Sequence, residues 1–364
     1  MTDNCTTIQD FSNENVDLPA IQVIFIALYT LVWVAAFVGN SLVLYVVAFN
    51  QISLNVRSIF IGCLAVSDLL MSMTSLPITA ITIFTRNWIF PAMFCKLIGI
   101  FQGGSIFVSS FTLTMIAIDR CLLIAKPSKD MISYNRAILI VIGIWALGYT
   151  MALPTGLYSN EVKYTDICGV FCEESWPDFN ETLGRSDQRR IYGITVLLLQ
   201  FGIPAVISTV CYTMISRVMN RQVKRRRCQA LLAESEQKLV SRKNRANRMM
   251  IAMVLGFIVS WIPLNAINLY RDISTFSMTP WFSVIFAFCH VSAMMSAVAN
   301  PVIYSWFNPQ FRNAIHQVFH QYKREGKQSL TNIKTDVSGS KFDYSKTFNA
   351  VVTTTKYEPG DQFL

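Results

Sequence analysis

The sequence predicts an all-α membrane protein, a seven-transmembrane helix bundle followed by a short amphipathic eighth helix. Of its 364 residues, 52% are hydrophobic and only 15% are charged, whereas soluble domains are about 25% charged. The hydrophobic residues are concentrated in seven long blocks, and about 20 apolar residues in a helix cross the ~30 Å hydrocarbon layer. A membrane strand needs only about 9–11 residues and alternates in polarity, so the blocks predict helices.

The seven blocks divide the chain into four regions. Residues 1–20 are predicted to form a polar N-terminal tail, residues 21–307 the bundle, residues 308–325 an amphipathic interfacial helix and residues 326–364 a disordered tail. Buried helices of a soluble protein are the alternative, and so many apolar blocks of this length argue against them. The predicted spans are Ile21–Phe49, Ser58–Thr85, Phe94–Ala125, Ala137–Tyr158, Ile191–Met219, Asn247–Tyr270 and Pro280–Phe307.

Basic residues between spans five and six set the predicted orientation. From Arg217 to Arg248 there are 11 Lys and Arg residues, against two acids, Glu234 and Glu236. Lys and Arg collect on the cytoplasmic side of membrane proteins, so we expect a multi-pass protein of the plasma membrane with its N-terminus extracellular and its C-terminus cytoplasmic. This distribution accounts for the net charge of +9 without nucleic acid as a partner. We also expect this basic loop to extend spans five and six as helices.

Glycosylation sequons and cysteines support the same orientation. Asn4 and Asn180 each begin an Asn-X-Thr sequon, which is used on the lumenal side, and both fall outside the cell in the predicted topology. Cys95, Cys168 and Cys172 lie in or near outer loops, where disulfides persist. The first 18 residues are acidic and polar, so we expect span one, rather than a cleaved peptide, to act as the signal.

Apolar residues after span seven recur at helical spacing, which predicts a short amphipathic helix in the inner interface. An unstructured start of the tail is the alternative. From about Gly326 the chain is rich in Ser, Thr and Lys and is expected to be disordered. The residues on the apolar face are Phe307, Phe311, Ile315, Val318 and Phe319.

Polar side chains lie inside the apolar spans, where a charge costs ~2.5–3.5 kcal/mol. Asp68 lies in span two, Asn40 in span one and Asn300 in span seven. Ser109 and Ser296 could face the same interior. These groups could bind a small cation in a hydrated pocket, or they could form a water-filled hydrogen-bond network without an ion.

Charges at the end of span three and prolines in later spans also suggest function. Asp119 and Arg120 could neutralise one another in a partly dry site, although an arginine that simply reaches the interface is the alternative. Pro204, Pro263 and Pro301 lie inside spans five, six and seven. Each can kink its helix, which suits a helix that moves, but membrane helices also tolerate prolines without such a role.

Taken in order, these residues resemble the motifs of the rhodopsin-like G protein-coupled receptors over residues 21 to about 320. Any one motif is weak, but all occur in order and each in the correct span. Cys121 stands where Tyr is usual and Ser260 where Cys is frequent, departures that leave the class unchanged. The motifs are Gly39-Asn40, Leu64–Leu69, Asp119-Arg120-Cys121, Trp145, Pro204 with Tyr212, Phe257–Pro263 and Asn300–Tyr304.

The resemblance implies that Arg120 meets a heterotrimeric G protein when span six moves outward. It also implies a sodium pocket of Asp68, Ser109 and Asn300, with an allosteric sodium ion as the one cofactor expected. Receptor kinases and arrestin are expected partners of the Ser- and Thr-rich tail. The residues implied in coupling and activation are Asp119, Arg120, Tyr212, Phe257, Pro263, Asn300, Pro301 and Tyr304.

The same resemblance implies a disulfide between Cys95 and Cys172. Residues 171–177 look like the second outer loop of peptide receptors, which this disulfide staples to the start of span three. Cys5 and Cys168 are then left over. They could pair or stay free, because spacing alone does not settle connectivity.

Residues near the outer ends of the spans resemble those of the neuropeptide Y and neuropeptide F receptors. Gln102 stands where amine receptors of the family carry Asp, so a small amine would meet no counter-charge. The resemblance implies an amidated peptide with an arginine near its C-terminus, and this arginine pairs with Asp272. A guanidinium and a carboxylate can form such a pair through two hydrogen bonds. Tachykinin-like and other RFamide peptides are the alternatives. The expected ligand-binding residues are Gln102, Asn268, Asp272, His290, Glu173 and Trp261.

A transporter and an enzyme are the alternative functions. A transporter built from paired halves would show internal repeats, and none is visible. A retinal pump needs a lysine in span seven to bind retinal as a Schiff base, and residues 280–307 contain no lysine. We find no nucleophile elbow, phosphate-binding loop or His-Glu-X-X-His motif, so we expect a receptor without catalytic residues.

Overall fold

The computed structural model describes residues 5–49, 56–125, 132–180, 185–228, 234–273, 279–307 and 311–318. Seven of its helices are long and apolar enough to cross a membrane, which confirms the predicted seven-helix bundle. They are α1 (Pro19–Ala48), α2 (Val56–Thr85), α3 (Ala92–Ala125), α4 (Tyr134–Tyr158), α5 (Asp187–Leu197, continued by Leu198–Gly202 and Ile203–Cys228), α6 (Glu234–Ile273) and α7 (Phe282–Phe307).

The helix boundaries lie near the predicted ones, with larger differences in α5 and α6. α5 begins one turn earlier, because the Ser186 hydroxyl accepts the N–H of Arg189 and caps the first turn. α6 begins at Glu234, before the apolar span that starts at Asn247, as expected for a basic loop that extends the helix. Its first residues are mostly Lys, Arg, Glu and Gln, which favour helices in water and so extend α6 beyond its apolar span.

The helices form a ring in which α3 has a central place. α1 packs against α2 and α7, which closes the ring, and α3 contacts α2, α4, α5 and α6. α2 and α3 are the most buried spans, whereas α1, α4 and α5 are the least buried. Apolar residues such as Leu31 and Val206 point outward, as expected for helices that face lipid.

α5 contains a π-helical turn at Leu198–Gly202, directly before Pro204. The Ser110 hydroxyl on α3 donates a hydrogen bond to the carbonyl of Gln200 in this turn. Pro263 and Pro301 lie inside α6 and α7, as predicted. The turn marks where α5 departs from regular geometry beside α3. Single π turns of this kind often occur at functional sites.

Four short strands cover one end of the bundle, which we call the hairpin end. β1 (Thr6–Thr7) pairs in parallel with β3 (Ile167–Cys168), and β2 (Ser159–Val162) pairs antiparallel with β4 (Phe171–Glu174). The N-terminal segment therefore joins the loop that follows α4. We call the opposite end, where α3 carries Asp119 and Arg120, the Arg120 end.

Residues 311–318 form α8, within the predicted eighth helix. The rest of that range, 308–310 and 319–325, and the predicted disordered tail lie outside the described residues. The chain divides into two compact units, Met1–Ala314 and Ile315–Leu364. In the first unit Phe311 and Ala314 are buried, and the Phe311 ring packs edge-on against Tyr304 with centroids 5.9 Å apart.

α3 and α4 approach closely at Gly156. A Cβ added there would lie 2.4 Å from Cδ1 of Ile100 and 2.5 Å from the backbone oxygen of Lys96. Small residues permit such close contacts between membrane helices. Gly143 in the same helix faces open space, since nothing lies within 4 Å of an added Cβ.

We expect Gly156→Ala to push α4 away from α3 and to lower the stability by about 1–3 kcal/mol. Thermal unfolding of the purified protein in detergent measures the effect. Gly143→Ala is the matched control and should leave the melting temperature unchanged. A melting temperature for Gly156→Ala equal to that of the native protein would contradict the close approach.

Candidate functional site

Asp272, the predicted partner of a ligand arginine, lies near the end of α6 at the hairpin end. Its Oδ1 is 3.1 Å from Nε of Arg189 in the first turn of α5 and 4.0 Å from Nε of the adjacent Arg271. Gly193, one turn after Arg189, faces the carboxylate, since a Cβ there would lie 3.5 Å from Oδ2. Asp272 is therefore a largely buried anion, 14% exposed, that already has a partner within the protein.

The start of α5 holds Arg189 at this position. Asp178 accepts hydrogen bonds from the Ser186 hydroxyl and from the backbone N–H of Gln188 at 2.8 Å. The Ser186 hydrogen bond is the main cause that lowers the pKa of Asp178 below its ordinary value. The acid therefore stays ionised and caps the first turn, where an anion is favourable.

Other predicted ligand residues have partners of their own. Glu173 on β4 is exposed and accepts a hydrogen bond from the Tyr164 hydroxyl at 2.9 Å. Burial, this hydrogen bond and the Glu173 charge raise the pKa of Tyr164, so Tyr164 stays a donor. Gln102 on α3 and Asn268 on α6 are half-buried. The two amides lie on α3 and α6, which contact each other.

His290 is buried on α7 and faces α1. Its Nδ1 lies 3.0 Å from the hydroxyl of Tyr29, and the two rings stack with centroids 5.7 Å apart. Among the described residues, Nε2 of His290 has no hydrogen-bond partner. His290 therefore joins α7 to α1 and keeps one unsatisfied ring nitrogen in the interior.

Trp261 and Phe257 on α6 form an aromatic cluster with Phe201 in the π turn of α5. The ring centroids are 5.5 Å apart for Phe201 and Phe257 and 6.3 Å apart for Phe201 and Trp261. Nε1 of Trp261 donates to the Ser296 hydroxyl on α7 at 3.1 Å. This cluster links α5, α6 and α7 in the middle of the bundle.

Asp68 lies at the centre of a polar cluster between α2, α3 and α7. It is 1% exposed, accepts Nδ2 of Asn300 at 2.8 Å and accepts the Ser109 hydroxyl at 3.3 Å. The Ser109 hydroxyl also lies 2.8 Å from that of Ser67. No Lys or Arg of the described residues pairs with Asp68, so the structure brings together the three predicted pocket residues around a carboxylate without a counter-charge.

Arg120 is paired with its neighbour at the opposite end of the bundle. Its Nη2 lies 3.1 Å from Oδ2 of Asp119, and its side chain is only 11% exposed. The hydroxyls of Tyr212 and Tyr304 are buried and have no hydrogen-bond partner within the part of the chain that the structure describes. The charge of Arg120 is therefore neutralised locally, and both tyrosine hydroxyls are available for new contacts.

Two disulfides lie at the hairpin end. Cys95 at the start of α3 is joined to Cys172 on β4, the pairing that the family resemblance implies. Cys5 is joined to Cys168 on β3, which decides between the two alternatives that the sequence left open. The second disulfide ties the N-terminal segment to the loop after α4.

The predicted glycosylation sites are only partly within the described structure. Asn180 is exposed and forms an isolated backbone bridge with Arg185. Asn4 lies outside the described residues. Glycosylation at both positions stays a prediction.

A buried ion cluster that the sequence patterns did not predict holds the N-terminal segment in place. Arg86, just after α2, lies 2.9 Å from Oε1 of Glu14 and 3.0 Å from Oδ2 of Asp17. Oε2 of Glu14 accepts the backbone N–H of Ser283 on α7 at 3.2 Å. The side chains of Arg86 and Glu14 are 9% and 5% exposed. In the sequence, Glu14 and Asp17 resemble the solvated charges of a polar tail. In the structure they bind the N-terminal segment to the end of α2 and to α7.

A cavity of ≈ 340 Å³ opens beside this cluster at the hairpin end. Its walls come from the N-terminal segment, the end of α2, the hairpin and α7. The bundle therefore offers a concave surface at this end, formed partly by acidic and aromatic side chains. Its lining includes Ile8, Glu14, Trp88, Phe171, Glu173 and Phe282.

Comparison with known proteins adds an independent finding. Residues 39–304 match the sequence profile of the family described as 7 transmembrane receptor (rhodopsin family). The chain is 55% identical over 376 residues to neuropeptide receptor 3 of Caenorhabditis elegans, covering 99% of both chains. It is 32% identical over 320 residues to the neuropeptide F receptor of Drosophila melanogaster, covering 84% of this chain and 64% of that one. It is 29% identical over 316 residues to neuropeptide Y receptor type 2 of Mus musculus, covering 85% and 80%.

We expect Glu14→Gln to weaken the attachment of the N-terminal segment, because Arg86 would lose one of its two carboxylate partners. The loss of a charged hydrogen bond of this kind costs about 2 kcal/mol. The melting temperature of the purified protein measures it. Asp10→Asn is the control, since Asp10 lies in the same segment but is exposed, and among the described residues it hydrogen-bonds only with the nearby Thr7. Equal effects of the two variants would contradict a stabilising role for the buried cluster.

Proposed function

Because this chain belongs to the rhodopsin family of seven-transmembrane receptors, which are receptors and not enzymes, we propose that it binds an amidated neuropeptide and signals through heterotrimeric G proteins. The proposed ligand ends in an Arg-aromatic amide, like the peptides of the neuropeptide Y and F group. The names of the relatives, a neuropeptide receptor and a neuropeptide F receptor, support a peptide ligand. The observation that carries the finer proposal is the largely buried carboxylate of Asp272 at the hairpin end.

The chemistry of the site suits a peptide arginine followed by a carboxamide. A guanidinium binds a carboxylate through two parallel hydrogen bonds, and this contact is strong when it is partly desolvated. The side-chain amides of Gln102 and Asn268 carry donors and acceptors that a terminal carboxamide can satisfy. A small amine would find no carboxylate at position 102.

The hairpin end is proposed to face the extracellular side of the plasma membrane. Two disulfides lie there, and disulfides persist in oxidising compartments. The excess of Lys and Arg between spans five and six then lies in the cytoplasm, in agreement with the positive-inside rule. The proposed ligand thus reaches Asp272 and Glu173 from outside the cell.

The Arg120 end is proposed to receive the G protein. Release of Arg120 from Asp119, together with outward movement of α6, would expose a basic surface. Tyr212 and Tyr304 have buried hydroxyls without partners among the described residues, so they could stabilise the moved state. The ligand drives this change only through its higher affinity for that state. Receptor kinases and arrestin would act on the tail, which lies outside the described residues.

A sodium ion is proposed as an allosteric ligand of Asp68. A buried carboxylate without a counter-charge is costly, and oxygen atoms suit a hard cation. Asp68 and Ser109 supply a carboxylate and a hydroxyl oxygen, and Asn300 supplies an amide next to them. A water-filled network without an ion is the alternative.

We expect Asp272→Asn to reduce the potency of amidated Arg-Phe and Arg-Tyr peptides about 30-fold or more, which corresponds to about 2 kcal/mol. The assay is calcium mobilisation in cells that express the receptor with a promiscuous G protein. Asp187→Asn is the control, because Asp187 carries a nearby but exposed carboxylate, and it should change potency little.

Silence of the native receptor toward these peptides, with surface expression verified, would overturn the Arg-aromatic amide proposal. A response to tachykinin-like or other RFamide peptides in the same screen would support the alternative peptide class. Neither result would affect the membership of the chain in the receptor family.

We expect sodium to lower agonist affinity about fivefold or more relative to equimolar N-methylglucamine, and Asp68→Asn to abolish this difference. Radioligand competition on isolated membranes measures it. Thr74→Ala is the control on the same helix, since its hydroxyl donates to the Leu70 carbonyl of its own helix. The same sodium effect in native and Asp68→Asn membranes would favour the ion-free network.

A further inference from the structure

Arg189 lies between two carboxylates at the hairpin end. Its Nε is 3.1 Å from Oδ1 of Asp272 on α6 and 3.6 Å from Oε2 of Glu174 on β4. The three side chains are partly buried, with exposures of 26%, 14% and 28% for Arg189, Asp272 and Glu174. The guanidinium of Arg189 is therefore shared between two carboxylates, one on α6 and one on β4.

We propose that Arg189 competes with the ligand for Asp272 and thereby sets the affinity of the receptor for arginine-containing peptides. The inference rests on the proposed function, in which Asp272 pairs with the arginine of the peptide. Because Arg189 occupies Oδ1, a guanidinium from the ligand can make a bidentate contact with both oxygens of this carboxylate only when Arg189 gives way. Glu174 is the acceptor that keeps Arg189 paired after it leaves Asp272.

Glu174 is positioned to accept Arg189. Its Oε2 also accepts Nε1 of Trp176 at 3.0 Å, and Trp176 is a buried ring that packs between Tyr158 and Tyr192. The disulfide of Cys172 holds β4 against α3. The carboxylate of Glu174 therefore lies on a fixed support, and Arg189 needs only a change of side-chain rotamer to pair with it fully.

Gly193 and Arg271 also lie beside the carboxylate of Asp272. Gly193 contributes no side chain between α5 and Oδ2 of Asp272, although an added Cβ would lie only 3.5 Å away. Arg271 is adjacent in sequence, and its Nε is 4.0 Å from Oδ1. An incoming arginine would therefore meet the positive charges of both Arg189 and Arg271, and transfer of Arg189 to Glu174 reduces this repulsion.

The competition predicts opposite effects for the two partners of the exchange. Arg189→Gln removes the competitor and should raise agonist potency about fivefold, the scale of a partly exposed ion pair. Glu174→Gln removes the alternative acceptor, so Arg189 stays on Asp272 and potency should fall by a similar factor. In the Arg189→Gln background the Glu174→Gln change should have a smaller effect, which a double-mutant cycle measures.

A general change of charge is the rival explanation, because any arginine removed from this end would help a cationic peptide. Arg190→Gln is the matched control. Arg190 carries the same charge at the next position, and its Nη2 lies 3.6 Å from the carboxylate of Asp187. The charge of Arg190 acts on Asp272 more weakly than that of Arg189, so Arg190→Gln should change agonist potency much less than Arg189→Gln if the contact with Asp272, rather than net charge, sets the affinity.

The test uses an amidated Arg-Phe peptide and its analogue in which citrulline replaces the arginine. Both are applied to the native receptor and to the Arg189→Gln, Glu174→Gln, double and Arg190→Gln variants, at equal surface expression. Citrulline has the shape of arginine without the charge, so its potency should not respond to Arg189→Gln. A gain for the arginine peptide alone, seen with Arg189→Gln and not with Arg190→Gln, is the expected result.

Equal gains for both peptides, or equal gains in Arg189→Gln and Arg190→Gln, would overturn the competition. Unchanged potency of the arginine peptide in Arg189→Gln would overturn it as well, while the native response would leave the proposed function intact. A native receptor that responds to no amidated Arg-aromatic peptide would instead overturn the proposed function, and the competition with it.

Discussion

The absence of water from the hydrocarbon layer is the constraint on which this structure depends. Backbone N–H and C=O groups must then be satisfied within each segment, and seven helices achieve this. Side chains follow the same rule, since Thr74 and Thr209 bond to carbonyls of their own helices. Asn40 goes further and donates to the Ala297 carbonyl at 2.9 Å, which joins α1 to α7. Polar groups inside the bundle therefore connect helices as well as satisfying one another.

The lengths of the hydrophobic blocks predicted the seven helices well, because the thickness of the membrane sets the length of a helix that crosses it. Beyond the apolar blocks, the basic loop predicted that spans five and six continue as helices, and α6 does begin at Glu234, where helix propensity in water replaces hydrophobicity as the cause. The residues around Asp68 could be named from the sequence because a buried charge is rare and calls for partners. The partners of Asp272 and Arg86 could not, since Arg189 and Glu14 are typical surface residues whose burial results from the tertiary fold.

The two ends of the bundle are stabilised in different ways. Two disulfides, the Arg86 cluster and the hairpin tie together α2, α3, α7 and the N-terminal segment at the hairpin end. Toward the Arg120 end, a cavity of ≈ 410 Å³ lies between α5 and α6, lined by Ser208, Tyr212 and Leu255. α5 and α6 are therefore less tightly packed against each other in this region, whereas disulfides and ion pairs tie the opposite end together.

The disulfide between Cys5 and Cys168 also has a consequence for the biosynthesis of the chain. The two cysteines are 163 residues apart, and α1 to α4 lie between them. Cys5 is therefore translated long before its partner and must remain reduced, or exchange out of other pairings, until four helices have been inserted. Formation of this bond requires that both cysteines lie on the same side of the membrane, so it depends on the insertion of all four intervening helices.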